Sequence, residues 1–303
     1  MNAFLQSVLP HHALSKLMSV LTHSETVWFK NLFIKQIIRH YGVNMDEALI
    51  PDINAFKSFN DFFTRELKPE ARPLSTEKNA IVSPADGVVS QAGDITEGDI
   101  FQAKGKSFTV TELLGGSEER AAPFNDGIFS TIYLSPKDYH RLHMPLTGTL
   151  TEMVHIPGRL FSVNTATTEA VPRLFARNER VCCVFETEAG PMALILVGAI
   201  FVSSVETVWH GVVTPPTRTT VQNWLYEENA PTLEKGEEMG RFNMGSTIIV
   251  LFGKDYAEWN ADFTANKAVK LGEMIGKTKT FPKSEPTAVK NNVFSTLIKR
   301  LGF

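Results

Sequence analysis

Apolar residues change their spacing twice along the chain. Near the start, Leu14, Leu17, Met18 and Leu21, and then Phe29, Phe33, Ile34, Ile37 and Ile38, recur three and four positions apart, the spacing of one face of a helix. At the far end Val293, Phe294, Leu297, Ile298 and Leu301 repeat it. Between them lie short runs rich in Val, Ile, Thr and Phe, bounded by Gly, Pro, Asp or Asn, at 82–89, 127–134, 148–156, 180–186, 192–202 and 247–252. These runs predict strands, and no internal repeat is visible. The expected class is α+β: a helical region over 1–67, a mostly antiparallel β body over 68–276, and an amphipathic tail over 277–303. Pro69 and Pro73 mark a linker at 68–78.

The composition permits a sizeable core, since 43% of the 303 residues are hydrophobic and 21% are charged. A net charge of −3 gives no global reason to expect a nucleic-acid partner. That average hides an uneven distribution: 1–44 carries +3 and 277–303 carries +5, which leaves −11 on the residues between. Basic amphipathic ends can pack their apolar faces on the body or attach to an anionic membrane surface, where each basic side chain contributes about 1 kcal/mol. Pro282 and Pro286 set the tail apart from what precedes it and favour membrane contact there, while for 28–40 both readings stand. The longest apolar run, 192–202, is interrupted by Gly198 and is shorter than the ~18 residues a spanning helix requires. The start lacks a basic segment and a small-residue cleavage site, so a cytoplasmic protein is expected. Cys182 and Cys183 are neighbours in a predicted strand and point to opposite faces, so no disulfide is expected.

Three stretches carry candidate chemistry, and no glycine-rich phosphate loop is present. Ser83-Pro84-Ala85-Asp86-Gly87 contains an Asp-Gly pair that by itself reads as a turn between strands. Asp138-Tyr139-His140-Arg141-Leu142-His143-Met144-Pro145 offers two imidazoles. They could be metal ligands, but no third cluster of ligand spacing accompanies them, and acid/base work near neutral pH suits them better. Phe242-Asn243-Met244-Gly245-Ser246-Thr247 places a hydroxyl one peptide bond from the Gly245 carbonyl. That junction is either a tight turn or, given a base and a held geometry, a bond the chain can attack itself.

Together with Leu174-Phe175-Ala176-Arg177-Asn178-Glu179-Arg180, Glu206-Thr207-Val208-Trp209 and Gly240-Arg241, these stretches resemble phosphatidylserine decarboxylases of the bacterial membrane-bound type. The resemblance runs from about residue 56 to 252 in the family's order. It departs at the cleavage motif, where the family's usual Leu is Met244, of similar volume and polarity. The two terminal segments carry none of these motifs.

The resemblance implies two chemical stages. In the first, Asp86 orients His143, His143 deprotonates Ser246, and the Ser246 oxygen attacks the Gly245 carbonyl to give an ester. Elimination then releases 1–245, and residue 246 becomes a pyruvoyl group on the 58-position chain 246–303, with loss of ammonia. In the second, the substrate amine forms a Schiff base with that ketone, carbon dioxide leaves, and His140 returns a proton to the substrate carbon. The +3 spacing would let both imidazoles line one site, with Asp138 tuning His140. Ser162 matches a family position near the head group, although a plain turn hydroxyl fits it too. No pyridoxal phosphate and no metal are expected. The implied partners are phosphatidylserine in an anionic membrane, the retained cleavage products 1–245 and 246–303, and a second copy of that pair. The implied location is peripheral, on the cytoplasmic side of the cell membrane. The rival readings are a soluble pyruvoyl decarboxylase of free amino acids, with little use for the basic ends, and a serine hydrolase using intact Ser246, without the usual G-x-S-x-G.

Overall fold

The run Thr247–Phe252 is apolar at every position after the first, the pattern of a strand buried on both faces rather than on one. In the computed structural model, which describes residues 9–200, 204–214, 219–244 and 247–279, this run is the middle of the largest sheet. It pairs antiparallel with Gly190–Val197 on one side and Ile128–Tyr133 on the other. Beyond Gly190–Val197 come Arg180–Thr187, Gly148–Ile156 and Gln222–Leu225; beyond Ile128–Tyr133 come Gly87–Asp94 and Ala268–Val269. Alternate residues feed two cores. Ile248, Val250 and Phe252 join Met153, Phe185, Leu194 and Leu196, while Ile249 and Leu251 join Phe124, Phe175, Ile195 and Val197. Cys183 and Cys182 divide the same way and are free thiols, which bears out the opposite-face expectation.

Three smaller sheets accompany this one, the smallest pairing Asp99–Ala103 with Lys106–Thr109. Arg141–His143 pairs with Glu238–Asn243, which continues to Ser204–Thr207 and Gly211–Val212. Met274–Thr278 pairs with Ala80–Val82 and Ala257–Trp259. The α+β class with mostly antiparallel strands and N-terminal helices is therefore the observed one. Two predicted runs differ in extent. The run 82–89 is split into Ala80–Val82 and Gly87–Asp94, because Ser83 donates its hydroxyl to the Ala85 carbonyl and folds 83–86 into a loop. The run 192–202 leaves the ladder after Val197, where the Gly198 amide turns to the Glu179 carbonyl. The predicted tail helix lies outside the described residues.

The N-terminal region forms the helices His11–Thr22, Val27–Tyr41 and Phe59–Phe63. Gly42, at φ 68°, ends the second in a left-handed cap, and Ser58 caps the third by accepting from the Asp61 amide. Ile34, Val43, Phe56, Phe59, Phe62 and Phe63 form a third, separate cluster. The first helix is inverted relative to a globular surface helix. It buries His11, Ser15 and Thr22 and exposes Leu17, Val20 and Leu21. The second buries Lys30 as well as Ile34 and exposes Val27, Trp28 and Leu32. Lys30 is thus no surface cation: its ammonium donates to Asn31 Oδ1 and to the Ile53 and Asn54 carbonyls.

Because the central strand is packed on both faces, truncation there leaves a cavity that neither core can close. Ile249→Ala is expected to cost about 2–5 kcal/mol, read as a lowered midpoint in chemical denaturation.

Candidate active site

Between the end of Glu238–Asn243 and the start of Thr247–Phe252 the chain passes from a small sheet to the large one in three residues. Two of these, Gly245 and Ser246, lie outside the described residues, but both approaches to them are held. Asn60 donates to the Asn243 side chain at 3.0 Å, and Asn243 in turn donates to Ser204 Oγ. Met244 packs on the phenylalanine cluster and carries a left-handed φ of 78°, which costs a bulky residue about 1–3 kcal/mol. On the far side Thr247 pairs with Tyr133 and Val197, and its hydroxyl is buried without a partner among the described residues.

The two imidazoles flank the partner strand. His140 comes just before the strand Arg141–His143 and His143 is its last residue, and each ring has its own partners. His140 is fully buried, its ring 4.0 Å from that of Phe63. Its Nδ1–H donates to the Asp138 carbonyl at 2.8 Å, which leaves Nε2 as a bare acceptor, and that atom has no partner among the described residues. Burial lowers its pKa to about 3. His143 has the same arrangement with different partners. Its Nδ1–H donates to the Gly236 carbonyl at 2.8 Å, and its Nε2 accepts from the Tyr139 hydroxyl at 3.3 Å. Burial depresses its pKa too, and the Gly236 carbonyl opposes the shift. Tyr139 is pushed up to about 12, mainly by burial, and stays a phenol. At neutral pH both imidazoles are uncharged proton acceptors, so His140 in this state is not the donor expected of it.

The carboxylates are placed differently from the sequence expectation. Asp86 does not hydrogen-bond His143. Its Oδ1 accepts from Arg72 Nε at 2.8 Å and from the Leu271 amide at 2.9 Å, while Arg72 also reaches Glu47 at 2.7 Å. The Gly236 carbonyl does the orienting, and Asp86 bears on His143 only as a charge that favours its protonation. The Asp138 carboxylate turns away from His140 and accepts from the Ser135 amide and hydroxyl, both at 2.7 Å. Burial, then the charge of Asp86, raises its pKa against those hydrogen bonds. Asp138 therefore acts on His140 through its backbone. Asp86, Asp138 and Tyr139 line one polar cavity of about 400 Å³. Ser162 lines a second, mainly apolar cavity of about 510 Å³ together with Phe63 and Met244. By register the His140 carbonyl takes the Phe242 amide, three residues before Gly245, whereas His143 faces Glu238, seven before. Among the described residues, no group of three or more His, Cys, Asp or Glu could hold a metal ion.

Sequence reasoning missed Arg72, Gly236, Phe63 and Tyr139. Tyr139 stood inside a motif that was read only for its histidines and acid. The other three reach the site from remote parts of the chain, and nothing in their local sequence marks them.

The sequence model of the family described as phosphatidylserine decarboxylase matches residues 59–277, and a second, described as PSD, matches residues 1–42. The N-terminal segment thus belongs to the resemblance although it carries none of the motifs. The chain is similar to the phosphatidylserine decarboxylase proenzyme of Stutzerimonas stutzeri strain A1501, with 56% identity over 275 residues, 90% of this chain and 92% of that protein. It is similar to that of Pseudomonas putida strain W619, with 57% identity over 273 residues, 89% of this chain and 95% of that protein.

The buried neutral imidazole predicts a pH dependence of stability. With a folded pKa near 3 and an ordinary value of 6.5, His140 takes up its proton in the unfolded chain first, so stability is lost as pH falls below 6.5. Between pH 6 and pH 4 the wild type should lose up to about 1.4 kcal/mol per pH unit more than His140→Gln, in denaturation curves of the two proteins.

Proposed function

The chain belongs to the phosphatidylserine decarboxylase family, and from that premise we propose how its residues divide the work of self-processing and of converting phosphatidylserine to phosphatidylethanolamine and carbon dioxide. The observation that carries the reading is the buried, bare Nε2 of neutral His140, on a strand paired with the one that leads into Gly245-Ser246. A neutral imidazole whose other nitrogen is fixed by a carbonyl presents an oriented lone pair, and an anionic group arriving beside it raises its basicity toward the range that acid/base work needs.

In self-processing, His143 takes the Ser246 hydroxyl proton on Nε2, exchanging the Tyr139 hydroxyl for that of Ser246. The Ser246 oxygen bonds to the Gly245 carbonyl carbon, the peptide C–N bond breaks, and the proton passes to the freed nitrogen. The left-handed Met244 immediately upstream stores strain that opening the chain can release. The residues present suit a pyruvoyl group at position 246: a bare imidazole nitrogen and an apolar cavity meet around Phe63. When formed, that group supplies a ketone that accepts the electron pair left by departing carbon dioxide. His140 then holds the proton required at the substrate carbon, because an anionic substrate entering beside it raises its basicity from the resting value. Ser162 lines the same cavity and is the residue proposed to meet the head group there.

The lipid reaches this cavity from a bilayer surface. No helix among the described residues is long and apolar enough to cross a membrane. Instead Leu17, Val20, Val27, Trp28 and Leu32 are 54–71% exposed on the first two helices, an apolar patch too large to leave in water without purpose. Phe33 lines both the notch on that outer face and the apolar cavity behind it, so one helix spans from the proposed bilayer surface to the site. The His12 ring donates to the Gly158 carbonyl at 2.9 Å and His11 Nδ1 accepts from the Leu160 amide at 3.2 Å, tying this region to the loop that leads to Ser162. Attachment is therefore peripheral, led by an N-terminal region for which the sequence left two readings open. The cytoplasmic side, a homodimer of the processed pair and a share for the tail 277–303 remain part of the proposal.

Intact-mass analysis tests the chemistry. Wild-type protein should give two chains of 245 and 58 positions. Ser246→Ala should give one chain and no decarboxylation, His143→Ala should block cleavage, and His140→Ala should cleave at least in part but not decarboxylate. Equal loss of cleavage in both histidine variants would refute that division of labour. The membrane reading predicts that Leu17→Asp with Trp28→Asp lowers partitioning onto anionic vesicles by about tenfold or more while cleavage proceeds. Unchanged partitioning would remove the N-terminal helices from the membrane contact.

A further inference from the structure

Arg65 follows the helix Phe59–Phe63 and is 5% exposed. A buried guanidinium is expensive unless its donors are used and its charge is matched. Here only Nη2 is occupied, by the Lys137 carbonyl at 3.3 Å, while Nε and Nη1 are buried without partners among the described residues. Arg65 makes no ion pair with any described carboxylate, and the acids that share its cavity are engaged elsewhere. Asp86 is held by Arg72 and the Leu271 amide, Glu47 by Arg72, and Asp138 by Ser135. The cavity these groups line is about 400 Å³, and its walls are near in the chain to those of the apolar one: Phe63 and Pro136 line the apolar cavity, and Arg65 and Lys137 line the polar cavity. A buried guanidinium that lines this cavity, with two donors unpartnered among the described residues, has the chemistry of an anion site.

We propose that Arg65 binds the phosphodiester of the lipid substrate and so sets the enzyme's preference for a phosphate-linked head group. This rests on the decarboxylase reading above. The substrate carries two anionic groups, and the chemistry decides between them. The carboxylate loses its charge as carbon dioxide leaves, so a guanidinium on it would stabilise the ground state more than the transition state and slow the reaction. The phosphodiester keeps its charge throughout, so holding it strengthens binding equally at every stage and leaves the chemical step alone. Arg65 is thus a substrate-binding residue whose removal shows in KM and not in kcat.

The experiment uses processed Arg65→Gln and Arg65→Lys, with complete cleavage by intact mass as the check on folding. Each is assayed on phosphatidylserine and on an amphiphile in which an uncharged ether replaces the phosphodiester. Wild type should prefer the phosphodiester by about 10- to 100-fold in kcat/KM, the scale of one or two charge-assisted hydrogen bonds. Arg65→Gln should lose that preference, raising KM for phosphatidylserine by a similar factor with kcat within about twofold, and Arg65→Lys should fall between. A retained preference, or a fall in kcat at constant KM, would overturn the assignment. Inorganic phosphate separates the two sources of this anion. It should shift the thermal midpoint of wild type and not of Arg65→Gln. A shift lost in the variant while the lipid preference survives would make this a free-phosphate site and overturn the substrate role. Wild type that decarboxylates neither amphiphile would sink the decarboxylase reading instead, and the phosphate shift would still report whether Arg65 holds an anion.

Discussion

The structure depends on one strand being buried on both faces from its first residues. Thr247–Phe252 is hydrogen-bonded on both edges and contributes to both main cores, and it begins two positions after Gly245. A chain cut at the proposed bond would leave a small fragment that begins with this strand. The fragment's first strand is held by two ladders and two cores, and leaving would expose all of that surface at once. Whatever group forms at position 246 is followed directly by this doubly paired strand, a rigid support of the kind a catalytic site needs.

Around that fixed point, the electrostatics are set by burial more than by paired charges. Both imidazoles are kept neutral by desolvation, and each is oriented by a backbone carbonyl, Asp138 for His140 and Gly236 for His143. A carbonyl orients a ring without the ionic stabilisation of imidazolium that a carboxylate would bring, so the rings remain acceptors. The carboxylates are directed into other work. Buried Asp86, the nearly buried Arg72 side chain and the half-buried Glu47 form a triad that joins the N-terminal region to the loop after Val82, and removing Arg72 would leave the buried charge of Asp86 uncompensated. The stretch read as a linker at 68–78 carries the arginine of that triad.

The N-terminal helices connect this chemistry to its substrate. Their outer faces are apolar where a globular protein would be polar, and their inner faces include polar groups that tie them to the body. Met244, next to the cleavage bond, packs against the cluster these helices help to form. The surface proposed to meet the bilayer, the cavity proposed to receive the lipid and the bond proposed to be cut are thus walls of one small region.

Much of this was legible in the sequence. Periodicity located the first two helices and gave Gly148–Ile156 and Thr247–Phe252 to the residue, because a helix face and a buried strand each impose their own spacing. The motif strings located the family, and the adjacent cysteines were correctly read as unpaired. What the sequence could not decide was who meets whom. A period tells which face a residue shares with its neighbours in the chain, so His140 and His143 stood out as candidates but not the carbonyls of Asp138 and Gly236 that hold their rings. It marked Asp86 and Asp138 but not that Arg72 and Ser135 take them, and it passed over Arg65, Arg72 and Gly236 altogether. Some of those partners are near in the chain, as Ser135 is to Asp138, and others are remote, as Gly236 is from His143, and spacing marks neither kind. Whether a side chain is a base, a bound ion pair or an idle donor follows from its burial and its partners, and only the tertiary structure supplies these.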